Sequence, residues 1–132
     1  MFRLLFVDET TSGDRDPAFA LDVPGEWLPL RDVIRARIHE EAARHEAAED
    51  SAAGWRGLVR PGKAEARLDG AGVPRALKVD AEAQCEAAFR AFARNGFLVL
   101  VGDRQVTDLD EPVAGRDDVE VTFLKLIPLV GG

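Results

Sequence analysis

The apolar run Phe97–Val101 (FLVLV) limits the folds open to this chain. An unbroken run of apolar, β-favouring residues is typical of a strand buried on both faces, or of one with a buried face and an adhesive face. Residues 102–104 (GDR) then predict a tight turn, and residues 105–107 predict a short strand. After an acidic loop at 108–118, residues 119–126 (VEVTFLKL) predict the last strand.

The N-terminal part of the sequence predicts a hairpin followed by a helix. Residues 2–7 and 19–23 are short strand-like runs separated by the turn-rich stretch 8–17, which predicts a β-hairpin with a long loop. Pro29 suits the first position of a helix, where its missing N–H costs nothing, and the helix is predicted to continue to about Ala48. Its apolar stripe consists of Leu30, Val33, Ile34, Ile38 and Ala42.

The middle of the chain has a different composition. Residues 51–80 are rich in Ala and Gly and show no convincing period, although 57–60 and 76–79 are candidates for short strands. Residues 81–95 predict a second helix that ends at the pair Asn95-Gly96. One face of this helix holds Cys85, Ala88, Phe89 and Phe92.

Length and charge restrict the class of protein. A chain of 132 residues suits a single domain, so we expect one domain over residues 1–132. Its 24 acidic and 17 basic residues give a net charge of −7, which argues against a nucleic-acid or anionic-membrane surface and favours a neutral or basic partner. The single cysteine forms no internal disulfide, and neither a signal peptide nor a membrane span is predicted. We expect a cytoplasmic protein.

The sequence offers no convincing catalytic or metal-binding group. Residues 57–64 (GLVRPGKA) have the spacing of a phosphate loop but lack the Ser or Thr that would hold magnesium, so a surface turn is the preferred interpretation. His39 and His45 stand six apart on one helix and do not share a face, which favours solvated histidines over metal ligands. Cys85 suits a small core residue, because sequence places no base beside it. We expect no metal, no stably bound cofactor and no enzymatic activity.

The C-terminal residues carry the strongest signal. The last strand runs directly into the sequence Ile-Pro-Leu-Val-Gly-Gly. Pro128 keeps this segment extended, and Leu129 and Val130 provide apolar side chains that a partner protein could contact. Gly131 and Gly132 lack Cβ atoms, so they would thread a narrow channel and bring a carboxylate against a reactive group. The alternative is a frayed glycine tail without a role.

Residues 97–132 resemble the C-terminal half of ubiquitin-like β-grasp proteins, and Glu120-Val-Thr-Phe123 with the terminal Gly-Gly is also similar to the small sulfur carriers of molybdopterin and thiamine synthesis. The resemblance implies an α+β fold in which a mixed sheet packs on a helix. The β-grasp core would comprise residues 1–50 and 96–132, with a flexible tail at 127–132. Residues 51–95, with the second helix, would be an insertion that ubiquitin and these carriers lack, which suggests a divergent bacterial ubiquitin-like modifier.

The resemblance also implies a function. An ATP-dependent activating enzyme would adenylate the carboxylate of Gly132, with Gly131 beside it. A conjugating enzyme would take the chain as a thioester and transfer it to target proteins, after a processing peptidase if a longer precursor is made. ATP would be used by the activating enzyme, and the free chain would be monomeric. The alternatives are a sulfur carrier charged as a thiocarboxylate at Gly132 and a non-covalent β-grasp binding subunit.

Strand alternation and the lysines supply the remaining predictions. If Leu98 and Leu100 face the core, an outward patch forms beside the tail, and Val121 and Phe123 point inward. The patch would comprise Phe97, Val99, Val101, Leu124 and Leu126. We expect an activating enzyme to dock there, unless the second helix covers this face as a second core layer. Chains of the modifier would be linked through Lys63, Lys78, Lys125 or the N-terminal amine.

Overall fold

The computed structural model describes residues 1–47, 57–59, 80–115 and 117–126. Seven strands and two helices lie within these ranges. They are β1 (Phe2–Thr10), β2 (Arg15–Val23), β3 (Trp27–Pro29), α1 (Leu30–Ala47), α2 (Ala81–Ala93), β4 (Phe97–Val101), β5 (Arg104–Val106), β6 (Pro112–Ala114) and β7 (Asp118–Lys125).

The main sheet is mixed and has five strands in the order β2-β1-β7-β4-β5. Strands β1 and β7 run parallel at its centre, and the other neighbours are antiparallel. The α+β class with a mixed sheet is therefore confirmed, and the arrangement is consistent with a β-grasp-like fold. Strands β3 and β6 form a separate two-stranded ladder, in which Leu28 faces Val113. The sequence predicts no strand at either position, because each strand has only three residues and contains a proline.

The chain divides into two compact units, residues 1–33 with 89–132 and residues 34–88. The first unit holds all seven of the described strands, and the second holds most of both described helices. Both boundaries fall within helices, whereas the expected core ended at residue 50 and resumed at residue 96. The division into a β-grasp core and an insertion stays a prediction.

Phenylalanine rings join the strands of the first unit. Phe6 of β1 lies with its ring centroid 6.0 Å from that of Phe123 in β7, and Phe123 lies 5.9 Å from Phe97 in β4. Phe19 of β2 meets Phe6 edge to face at 5.2 Å, and Phe92 of α2 lies 5.9 Å from Phe97. Such tilted pairs contribute beyond the area they bury, so this cluster holds the central strands and the end of α2 together.

The predicted β-hairpin is confirmed. Strand β1 pairs with β2 from Phe2 opposite Val23 to Glu9 opposite Arg15. The turn closes where the amide of Thr10 donates to the carbonyl of Asp14 at 2.9 Å. Gly13 has φ of 95°, a conformation that side-chain-bearing residues rarely adopt, so glycine suits this position.

Helix α1 begins at Leu30, one residue after the predicted start, because Pro29 is still paired in β3. The first amides of a helix have no partner inside it. Here the amide of Leu30 donates to the carbonyl of Glu111 at 2.9 Å, and the amide of Arg31 donates to that of Leu109 at 2.8 Å. The loop before β6 therefore caps the start of α1.

Helix α2 begins at Ala81 as predicted and ends at Ala93, two residues before the predicted last residue, with Asn95-Gly96 as its stop. Asp80 caps its start, since the Asp80 side chain accepts the amide of Ala83 at 3.1 Å. At its end Asn95 has φ of 59°, its amide donates to Phe92 at 3.0 Å, and the Gly96 amide donates to Ala91 at 2.7 Å. These two bonds form a Schellman motif, the helix stop expected of Asn-Gly.

In the second unit, polar side chains of both helices hold residues 57–59. The buried carboxylate of Glu41 accepts the amide of Leu58 at 2.8 Å and lies 3.5 Å from the buried guanidinium of Arg37. The amide of the Gln84 side chain donates to the carbonyl of Val59 at 3.0 Å. Residues 57–59 form no strand, so the strand suggested at 57–60 is wrong for them; the candidate at 76–79 lies outside the described residues.

Replacing Phe123 should test the ring cluster. Phe123→Ala should lower the free energy of unfolding by about 3–5 kcal/mol, because it removes a fully buried ring from between β1 and β4. The adjacent Leu124 is partly exposed, so Leu124→Ala should cost less than about 1.5 kcal/mol. Urea unfolding followed by circular dichroism measures both values, and equal losses would contradict the packing described.

Removing Glu41 should release residues 57–59. Glu41→Ala leaves Arg37 buried without its carboxylate and should cost about 3–5 kcal/mol. The control is Glu40→Ala, which breaks a surface pair with Arg44 at 3.0 Å and should change stability by no more than about 0.5 kcal/mol. Hydrogen exchange at the Leu58 amide should accelerate with Glu41→Ala alone, and unchanged exchange would contradict the contact.

Candidate functional site

The end of β7 positions the residues that lead into the tail. Lys125 lies opposite Thr10 of β1 and Phe97 of β4, so the strand is paired on both sides up to its last residue. The amide of Leu126 then donates to the carbonyl of Gly96 at 3.4 Å. The predicted tail residues Pro128, Leu129, Val130, Gly131 and Gly132 lie outside the described residues.

The predicted orientation of β4 is wrong. Phe97 and Val99 are 5% and 0% exposed, so neither belongs to an outward patch. The physical reason is the register: Val99 lies directly opposite Phe123, and directly opposed residues share a face of the sheet. Since Phe123 faces the core, Val99 must face it too. Phe97 also belongs to this inward face, where its ring lies against those of Phe92 in α2 and Phe123 in β7.

Val101 belongs to the same inward face, opposite the buried Val121, and is only partly exposed. Of the predicted patch, Leu124 does lie on the outer face, where it is opposite Leu98, and Leu126 is partly exposed just beyond β7. Alternation along FLVLV cannot set the orientation, because all five residues are apolar and either face would satisfy the pattern.

The outer face instead presents leucines. Leu98, Leu100 and Leu124 are partly exposed on adjoining strands, and we call them the leucine surface. Beside them the outer positions of the central pair, Val7 opposite Thr122, are 5% and 2% exposed. The leucine surface is thus apolar and continuous with buried residues.

Only one of the three candidate linkage lysines lies in the described part of the chain. Lys63 and Lys78 lie outside it. Lys125 ends β7 with its side chain 38% exposed and its Nζ 3.8 Å from a carboxylate oxygen of Asp8. The loose ion pair leaves Lys125 accessible, and Met1 is 81% exposed at the N-terminus.

The second unit contains a cluster of ligand-type side chains that sequence analysis missed. Helix α1 contributes His39, and one face of α2 contributes Glu82 and Cys85, three residues apart. One donor atom from each side chain lies within 4.8 Å of the others. The sequence does not connect His39 with Glu82 or Cys85, because no local pattern links residues that stand more than 40 positions apart.

Hydrogen bonds and burial shift the pKa values of Glu82 and Cys85 in this cluster. Glu82 Oε2 accepts a hydrogen bond from Arg35 at 2.6 Å, and Glu82 Oε1 lies 3.0 Å from His39 Nε2. The bond from Arg35, followed by the one with His39, holds the pKa of the Glu82 carboxyl below its usual value. Burial raises the pKa of the Cys85 thiol, so the thiol stays protonated at neutral pH.

A thiol reagent should report this environment. In the folded chain an aromatic disulfide reagent should modify Cys85 much more slowly than in urea, because the side chain is buried. The rate should keep rising with pH after that of the unfolded chain has levelled off, since a raised pKa delays formation of the thiolate. Absorbance of the released thiolate measures both, and equal rates in the folded and unfolded chain would contradict the burial.

The comparisons with known proteins name no family. No family model, no curated protein and no solved structure matches this chain. Among the described helices, none is long and apolar enough to cross a membrane. Function is therefore inferred from the fold and from the chemistry of the residues themselves.

Proposed function

We propose that this chain is a ubiquitin-like protein modifier, conjugated to target proteins through the carboxylate of Gly132. The observation that carries the proposal is the sheet order β2-β1-β7-β4-β5 with a parallel central pair. This arrangement is consistent with a β-grasp-like fold. Strand β7 is paired on both sides up to Lys125, and the sequence that follows it ends in Gly131 and Gly132.

The proposed chemistry takes place at the chain's own carboxylate. An oxygen of the Gly132 carboxylate attacks the α-phosphorus of ATP in the activating enzyme, and pyrophosphate leaves. The resulting acyl adenylate reacts with a cysteine thiolate of the enzyme, which displaces AMP and forms a thioester. A target amine finally displaces the thiol and forms an amide. Paired glycines favour these steps, because a backbone without Cβ atoms enters a narrow channel.

Docking of the activating enzyme is assigned to the leucine surface. Leu98 and Leu100 lie on β4 and Leu124 lies on the paired strand β7, so a bound enzyme would be close to the point where the chain continues beyond Leu126. Partly exposed apolar side chains on adjoining strands are suited to protein contact. The net charge of −7 favours a basic surface around the enzyme's docking site.

Intact-mass spectrometry tests the proposal. The chain ending at Gly132 is incubated with ATP, its cognate activating and conjugating enzymes and a candidate target. A modifier should give ATP-dependent, amide-linked products whose masses equal the sum of the two chains less one water. Replacement of one carboxylate oxygen by sulfur would instead indicate a sulfur carrier.

Two variants serve as controls. A chain that stops at Val130 should retain the circular dichroism of the parent, because the deletion lies beyond β7, and should form no product. The double variant Gly131→Ala with Gly132→Ala keeps the length and the carboxylate, and should be activated more slowly. Conjugation of the shortened chain, or no ATP-dependent change in the parent, would overturn the proposal.

A further inference from the structure

The cluster of His39, Glu82 and Cys85 lies wholly within the second unit, whereas the residues assigned to conjugation belong to the first. Its three donors are an imidazole nitrogen, a carboxylate oxygen and a sulfur. Thiolate and imidazole select zinc-type cations over magnesium or calcium, which prefer oxygen ligands. The ligand set therefore has the chemistry of a zinc site with three protein ligands and one open position.

The distances suit such an ion. Zinc bonds of 2.0–2.3 Å in a tetrahedron place the donor atoms about 3.5 Å from one another. The His39 and Glu82 donors are 3.0 Å apart, and no pair of the three exceeds 4.8 Å. Adjustment of side-chain torsions by about 1 Å is enough to bring all three onto one ion.

The surrounding residues hold two of the ligands in place. The cap from Asp80 to Ala83 fixes the first turn of α2, which carries Glu82. The Gln84 side chain ties the same turn to Val59, and the adjacent Cys85 is fully buried. Ligands on an anchored helical turn lose little conformational freedom when an ion binds.

Arg35 has an orienting role. Its guanidinium bonds Glu82 Oε2 and leaves Oε1, the oxygen nearest His39, directed at the cluster. Outer hydrogen bonds of this type orient metal ligands and raise affinity. The cost is repulsion between Arg35 and the cation, which the Glu82 carboxylate and a Cys85 thiolate together offset.

The burial of Cys85 is less consistent with a nucleophilic role than with metal binding. Cys85 is 0% exposed, so its sulfur does not reach an external substrate. The side chains of His39 and Glu82 are 48% and 63% exposed, which gives an ion and one water molecule access from their side. This pattern, a buried sulfur beneath two exposed ligands, suits a small cation.

We propose that His39, Glu82 and Cys85 bind one zinc-type divalent cation per chain, with water in the fourth position. On binding, the sulfur–metal bond forms as the S–H bond of Cys85 breaks, and the proton passes to solvent. The ion then links α1 to α2 within the second unit. The site requires neither the tail nor the sheet.

Cobalt serves as the spectroscopic probe and is titrated into the metal-free chain of residues 1–132. We expect saturation at one Co²⁺ per chain, with a sulfur-to-cobalt charge-transfer band in the near ultraviolet and the visible bands of tetrahedral Co²⁺. One equivalent of Zn²⁺ should remove both. Cys85→Ser should abolish the near-ultraviolet band.

His39→Gln and Glu82→Gln should each weaken Co²⁺ binding by at least about tenfold, the loss typical even of an outer-shell partner. Both side chains are exposed, so these variants should keep the parent's circular dichroism. The matched controls are His45→Gln and Glu86→Gln, the other histidine and the next glutamate on the same two helices, and they should bind like the parent.

Absence of the charge-transfer band in the parent would overturn the site. So would binding that His39→Gln and Glu82→Gln leave unchanged, or that the two control variants weaken equally. The result is independent of conjugation, because the chain that stops at Val130 should bind Co²⁺ as the parent does.

Discussion

The parallel pairing of β1 with β7 is the constraint on which the rest of the structure depends. A parallel pair cannot be joined by a hairpin and needs a long crossover. Here the connection between Thr10 and Asp118 contains the two described helices and the other five described strands. The register of this pair, with Leu4 opposite Val119 and Phe6 opposite Val121, places buried apolar side chains of both strands on one face. The phenylalanine cluster forms on that face.

This constraint also explains why the sheet tolerates so much sequence in its connection. Strands β1 and β7 can pair regardless of the length of the segment that connects them, provided that this segment brings β7 back in the same direction as β1. The loop before β6 helps it do so, since Leu109 and Glu111 accept the first amides of α1 and Asp110 pairs with Arg31 at 2.9 Å. The residues that follow in α1 then belong to the second unit, which carries its own polar contacts.

Much of the local structure could be predicted from the sequence. The hairpin, α1, the Asn95-Gly96 helix stop and the last strand follow from periodicity and turn chemistry, which act over a few residues. The orientation of β4 could not be predicted, because FLVLV has no polar residue to mark its outer face. Strands β3 and β6 are too short to show a period and exist only because they pair with each other.

The candidate sites show the same difference between local patterns, which the sequence reveals, and contacts between distant segments, which it does not. The Gly-Gly sequence is a local signal, so it is readable without a structure. The ligand cluster depends on two helices that meet, and nothing near His39 in the sequence points to Cys85. Leu98 and Leu100 became surface candidates only when the register of β4 with β7 fixed which residues oppose Phe123.

The position of β7 has a mechanical consequence. A force applied from its carboxyl end, along the strand, would pull against the ladders with β1 and β4 at the same time. Hydrogen bonds loaded in this direction are sheared together, whereas those of an edge strand peeled sideways break one after another. A molecular motor that pulls on the residues beyond Leu126 would meet its main resistance at once, because β7 is the first element that it must extract. After β7 is extracted, β1 and β4 have lost their shared neighbour, and the remaining sheet has no centre.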